Sequence, residues 1–164
     1  MAELFRLPDA TQITVRCSAA VLNAVGASAG LEFPRAANRF AISGTTTILW
    51  AGPDNWLVIA EACELISTLE AAFAGHNAAV VDVSGNRVRF CLSGAGARDM
   101  MARSCAIDFD PPHVGVGHCA ATLVARAQAF VLQRDDCPSY ELLVRRSYAK
   151  YLVDWFATAG CEVT

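Results

Sequence analysis

A chain of 164 residues has the size of one compact domain and leaves no room for two independent catalytic domains. Thirteen basic residues against sixteen acidic ones, without a Lys/Arg run, exclude the electrostatic footprint of a nucleic-acid binder, and no stretch reaches the roughly 18 apolar residues of a membrane-spanning helix. A hydrophobic fraction of 54% with only 18% charged residues excludes disorder and predicts apolar surface that another chain must cover.

Residues 1 to about 10 read as a loose arm that orders only against a partner. Ile13 to Cys17 alternates as a strand, and Ser18 then leads into a small-residue helix and on to Leu31-Glu32-Phe33-Pro34. Cys17 to Leu31 contains Ala27-Ser28-Ala29, which looks like a cleavage site. Glu3 and Asp9 nevertheless offset Arg6 and Arg16 in the flank before it, so it does not form a basic export leader. Thr46 to Trp50 and Trp56 to Ala60 form a hairpin around Gly52-Pro53-Asp54-Asn55. The stripe Leu65, Leu69, Ala72 and Phe73 predicts a helix that stops at Gly75.

Val80 to Val83 and Arg87 to Phe90 flank Ser84-Gly85-Asn86 and predict a second hairpin. The strand Val88 to Leu92 leads to Ser93, a capping residue for another small-residue helix, and then to Ile107-Asp108-Phe109. Pro111-Pro112 with Gly115 and Gly117 reads as a surface loop. A third hairpin pairs Ala129 to Gln133 with Tyr140 to Val144 around Asp135-Asp136-Cys137-Pro138. In the last helix Ser147 is the expected cap, one face carries Tyr148, Tyr151, Leu152, Trp155, Phe156 and Ala159, and Gly160 ends it.

These elements repeat in pattern, at about 11–78 and again at 79–160, within one domain spanning 1–164. The fold class is α+β: two ferredoxin-like β-α-β-β-α repeats packed through antiparallel sheet.

Few residues point to chemistry. Gly94-Ala95-Gly96-Ala97-Arg98-Asp99 follows a strand and opens a helix, but it lacks the third glycine of a dinucleotide fingerprint, so a capped helix start is the simpler reading. His113, His118 and Cys119, with Cys105, fit no standard metal spacing, and Asp135-Asp136 belongs to turn chemistry. The seven cysteines are odd in number and show no two-residue clasp; they read as reduced, mostly buried thiols of a cytoplasmic protein, with Cys17, Cys63, Cys91 and Cys161 in apolar company. No catalytic, cofactor-binding or metal residue is assigned.

The candidates for a subunit interface are Trp50, Trp56, Asp82, Arg87 and Arg89. Trp50 and Trp56 bracket a turn, where cross-strand packing and insertion into a neighbour both remain open. Asp82 lies in an apolar strand, at a cleft or a contact. Arg87 and Arg89 alternate with Val88 and Phe90 and form either a solvated outer face or a basic stripe for a partner's acids.

Trp50-Ala51-Gly52-Pro53-Asp54-Asn55-Trp56-Leu57-Val58 resembles the Leu-Gly-Pro-Asp-Glu-Trp-Leu signature of gamma subunits of heterotetrameric sarcosine oxidase. Val81-Asp82-Val83-Ser84, then Arg87 to Gly94 and Ala97-Arg98-Asp99, are similar to that family's Asp-Val-Ser and Leu-Ser-Gly-Pro-x-Ala-Arg stretches, with Ala95 in place of the usual Pro. The likeness runs roughly from Ile13 to Phe156.

The resemblance implies a fold similar to part of the folate-binding aminomethyltransferase fold. It also implies a noncatalytic subunit in complex with alpha, beta and delta partners, which carry FAD, FMN, NAD and tetrahydrofolate. Such a complex demethylates sarcosine oxidatively to glycine, with hydrogen peroxide and formaldehyde or methylenetetrahydrofolate. Three alternatives are a stand-alone folate-binding one-carbon protein, the small subunit of a related N-methylamino-acid dehydrogenase, and a regulatory amino-acid-binding module.

Overall fold

The computed structural model describes residues 1–25, 28, 30–110 and 113–164. Ala27 and Ala29 of the leader-like triplet, and the Pro111-Pro112 pair, lie outside the described residues. The chain runs through β1 (Glu3–Arg6), β2 (Thr11–Cys17), α1 (Ala19–Val25), β3 (Phe40–Ser43), β4 (Thr46–Gly52), β5 (Asn55–Ala60), α2 (Leu65–Phe73) and β6 (Ala78–Asp82). It continues through β7 (Arg87–Ser93), α3 (Ala97–Ser104), β8 (Cys119–Val124), β9 (Ala127–Asp135), β10 (Ser139–Arg145), a 3-10 turn (Arg146–Tyr148), α4 (Ala149–Thr158) and β11 (Glu162–Val163).

Two compact units result: Ala10–Ser84, and Gly85–Thr164 together with Met1–Asp9. The first holds a five-stranded antiparallel sheet in the order β3-β4-β5-β2-β6. Alternation in β2 sends Ile13, Val15 and Cys17 to one face, where they meet Leu22 and Val25 of α1, Leu69 and Phe73 of α2, and Phe33. Ser18 Oγ accepts the Val21 N–H at 3.3 Å in the first turn of α1. The β4–β5 hairpin turns through Pro53-Asp54, with Asp54 at φ +54°, a left-handed conformation that aspartate tolerates in turns.

The second unit repeats the plan. Its β7-α3-β8-β9-β10-α4-β11 matches β2-α1-β3-β4-β5-α2-β6 element for element, and Gly75 and Gly160, at φ +80° and +88°, close the equivalent helices α2 and α4. The sheet order differs in one respect. It runs β11-β1-β7-β10-β9-β8, so β1 lies antiparallel beside β7, where β6 lies beside β2 in the first sheet, and β11 is moved outward to pair parallel with β1. The core here joins Leu4, Val88, Phe90, Leu92, Val131, Leu142 and Val144 of the sheet to Met100 and Met101 of α3 and to Leu152 and Phe156 of α4.

Several expectations are corrected. Residues 3–6 are not a loose arm: Leu4 is fully buried, and its strand is paired on both sides. β6 and β7 do not form a hairpin around Ser84-Gly85-Asn86, because β6 pairs with β2 in the first sheet while β7 pairs with β1 and β10 in the second. The first unit therefore ends at Ser84, beyond the sequence boundary at 78. Strands β3, β8 and β11 were not expected. The Ser93 and Ser147 caps do not form: Gly96 and Tyr148 occupy the N-cap positions of α3 and α4 without a side-chain bond. Tyr148 and Tyr151 are exposed, while Leu152 and Phe156 carry the buried stripe of α4.

The glycines of the β7–α3 turn answer to β1. Gly94 has φ +93°, and a Cβ there would stand 2.5 Å from the Met1 carbonyl oxygen; a Cβ on Gly96 would stand 3.2 Å from the Ala2 nitrogen. Gly94→Ala is therefore expected to lower unfolding stability by roughly 1–3 kcal/mol in urea titration, since strain and a backbone clash act together. Gly85→Ala, where nothing lies within 4 Å, should stay within about 0.5 kcal/mol of wild type.

Candidate functional site

The residues singled out for chemistry are mostly held in local roles. His118 Nδ1 sits 3.0 Å from the Gly115 amide nitrogen, Cys105 Sγ lies 3.5 Å from Thr122 Oγ1, and exposed His113 faces exposed Asp108 at 3.7 Å. Among the described residues, no three His, Cys, Asp or Glu side chains converge as a metal site would require. Asp135 caps its own turn by accepting the Cys137 and Ser139 amides at 3.0 and 2.9 Å. No disulfide joins any of the seven cysteines among the described residues; burial pushes Cys17, Cys91 and Cys161 above the ordinary thiol range. Cys63, expected in apolar company, is exposed because it lies outside the α2 stripe.

The interface candidates separate into two groups. Trp56 belongs to its own core: it is 4% exposed, donates Nε1–H to the Pro34 carbonyl at 2.9 Å and packs edge-on against Phe33. Arg89 likewise finds its acid within the chain, donating Nε–H to Glu141 Oε1 at 2.6 Å. Trp50, opposite Trp56 in the β4–β5 ladder, is half-buried, as is Arg87.

Asp82 is exposed because β6 is an edge strand. Its Oδ1 accepts the Ser84 hydroxyl at 2.6 Å and the Ser84 amide at 2.9 Å, and these bonds hold the carboxyl below the usual aspartate range. Ser84 Oγ in turn accepts the Gln12 amide at 2.9 Å, fastening the end of β6 to β2.

Glu141 was missed from sequence, although its strand shows the signal that drew attention to Asp82, a lone acid among apolar residues. Only 2% exposed, it is clasped by Arg89 from β7 and by Arg134 from β9, whose Nε–H reaches Glu141 Oε2 at 2.7 Å. Two forks on one carboxylate compensate its burial.

Further along the same face, Arg87 and Arg145 stand in register on β7 and β10. The Arg87 guanidinium lies 5.2 Å from the centre of the Phe130 ring, and burial together with the Arg145 charge pushes it below the usual arginine range. These residues, with Ala121, Thr122, Leu123, Gln128 and Ala129, line a depression of about 480 Å³. The first unit has another of about 510 Å³, lined by Leu22, Leu31, Phe33 and Arg35 among others.

With this geometry in hand, comparison with known proteins defines the fold. The chain matches the glycine cleavage system aminomethyltransferase T of Bartonella henselae at TM-score 0.68 and 14% identity, over 99% of this chain and 47% of that one. The fold is thus the aminomethyltransferase type, represented here by about half of the larger enzyme.

Residues 14–162 match the sarcosine oxidase, gamma subunit family. Sarcosine oxidase subunit gamma of Corynebacterium sp. (strain U-96) is 33% identical over 142 residues, covering 85% of this chain and 68% of the relative; that of Arthrobacter sp. is 34% identical over 157 residues, covering 93% and 77%. A solved heterotetrameric sarcosine oxidase from Corynebacterium sp. U-96, in complex with pyrrole 2-carboxylate, contains a chain matching at TM-score 0.90 and 28% identity, over 96% of this chain and 83% of that one. The chain belongs to the sarcosine oxidase gamma subunit family.

Two outcomes follow from the charged groups. Glu141→Ala should cost about 3–5 kcal/mol in chemical denaturation, because it removes the carboxylate shared by two largely buried guanidinium groups. The Asp82 carboxyl should titrate below the ordinary aspartate range by NMR, and Ser84→Ala should return it towards that range. Because the folded value is the depressed one, the stabilisation it reports is complete above the unfolded value and disappears as pH falls through the folded one.

Proposed function

We propose that this chain is the noncatalytic, interface-forming subunit of a cytoplasmic, flavin-dependent heterotetrameric sarcosine oxidase, assembling with alpha, beta and delta subunits. The observation that carries the reading is the likeness, along nearly the whole chain, to a chain of an assembled sarcosine oxidase. Large apolar residues left exposed on the edge strands β3 and β6, Ile42 and Val81, and at Leu123, Val116 and Tyr148, support a role in which other chains cover this one. Trp50, Asp82 and Arg87 remain candidates for such contacts.

In this reading the complex converts sarcosine, dioxygen and water to glycine, formaldehyde and hydrogen peroxide. When tetrahydrofolate is present, it takes up the one-carbon unit as methylenetetrahydrofolate. FAD, FMN, NAD and the folate are placed on other subunits. No step of the reaction is assigned to residues of this chain.

Co-expression with the other three subunits is expected to give a single species by size-exclusion chromatography that forms hydrogen peroxide when sarcosine is added, while the purified chain forms none. A well-behaved monomer that ignores the other subunits, or an isolated chain that demethylates sarcosine, would overturn the reading. Preferential turnover of another N-methylamino acid by the assembled complex would move the assignment to a related dehydrogenase.

A further inference from the structure

One face of the second sheet carries arginines in two pairs. At one end Arg89 and Arg134 share Glu141, a carboxylate supplied by the strand between them. At the other end Arg87 and Arg145 are Cα partners on adjacent strands. Like charges directly opposite one another destabilise a sheet unless a counter-charge stands between them. Arg145 is exposed and pairs with no carboxylate among the described residues.

The surroundings suit an incoming acid. Phe130 holds the Arg87 guanidinium in place through its ring face, so part of the ordering cost of binding is already met. The depression of about 480 Å³ has room for a side chain and its neighbours, and among the described residues no acidic one lines it. Leu123, 53% exposed, also lines it and offers apolar contact beside the charge.

We infer that the depression between Arg87 and Arg145 receives a carboxylate side chain from an acidic, apolar-flanked segment of a partner subunit, as Glu141 serves the neighbouring pair. The inference rests on the reading of this chain as a subunit and specifies where and by what chemistry it docks. Arg89, placed in the same basic stripe by sequence, is excluded from that role by Glu141, and Arg145 takes its place.

The test compares full-length wild type, Arg145→Glu, Arg145→Gln and, as a surface control, Arg103→Glu on α3, each titrated against the complex of the other subunits. Arg145→Glu should weaken assembly by about 30-fold or more, with Arg103→Glu matching wild type. The gap between wild type and Arg145→Gln should shrink as salt is raised from 50 to 500 mM. If Arg145→Glu fails to fold by circular dichroism, Arg145→Gln, which leaves no like charge opposite Arg87, decides the matter through that salt dependence.

Wild-type affinity in Arg145→Glu would overturn the inference while leaving the subunit reading intact. A change only in self-association, followed by sedimentation velocity, would overturn it in favour of a second copy of this chain. Failure of the wild-type chain itself to assemble would remove the subunit reading and the inference with it.

Discussion

The ladder between β1 and β7 is the constraint on which the second unit depends. β1 brings four residues from the start of the chain into a sheet otherwise built from residues beyond 84, and in doing so it separates β7 from β11. Leu4 fills the core beneath it, while Met1 and Ala2 pass so close to the β7–α3 turn that Gly94 and Gly96 have little room for side chains. A glycine pattern that resembles a phosphate-binding turn is therefore occupied by the protein's own backbone. The same short strand accounts for the one topological departure between the two repeats.

The face of that sheet turned away from α3 and α4 is organised by charge on an apolar floor, with Leu132 and Leu143 fully buried in it. Glu141 shows the pattern the fold can sustain: a buried carboxylate is tolerable when guanidinium groups from both neighbouring strands converge on it. Arg87 and Arg145 bring two cations together at a depression further along the same face. The docking proposed there would supply register as well as adhesion, because a directional charge contact would stand beside exposed apolar surface.

Much local chemistry was legible in the sequence, though not the Ser93 and Ser147 caps or the Ser84-Gly85-Asn86 connection, and long-range partnership was not. The two Pro-containing hairpins, the α2 stripe and the paired glycine stops were readable because each depends on residues within a few positions of one another. β1 was not, because its partners lie some 90 and 160 positions away and four residues carry little periodicity. β8, with Cys119-Ala120-Ala121-Thr122, offers small side chains in place of an alternating pattern.

At the candidate site the reading divided in the same way. Asp82 and Arg87 were singled out for their position in strands, but the partners of Arg89 and Trp56 come from other elements and changed their meaning. Glu141 carried the same signal as Asp82 and differs from it only in lying on a central strand, where burial demands counter-charges, and not on an edge.

The placement of β1 also sets an order of events during synthesis. The sheet of the first unit draws on one continuous stretch, so its ladders can close as soon as residue 84 has emerged from the ribosome. The second sheet cannot be completed until β11, at residues 162–163, is available to flank β1, so β1 must wait for a partner some 160 positions further along the chain. Until β11 arrives, one edge of β1 has no strand to pair with, and its backbone N–H and C=O groups on that side stay open to other partners.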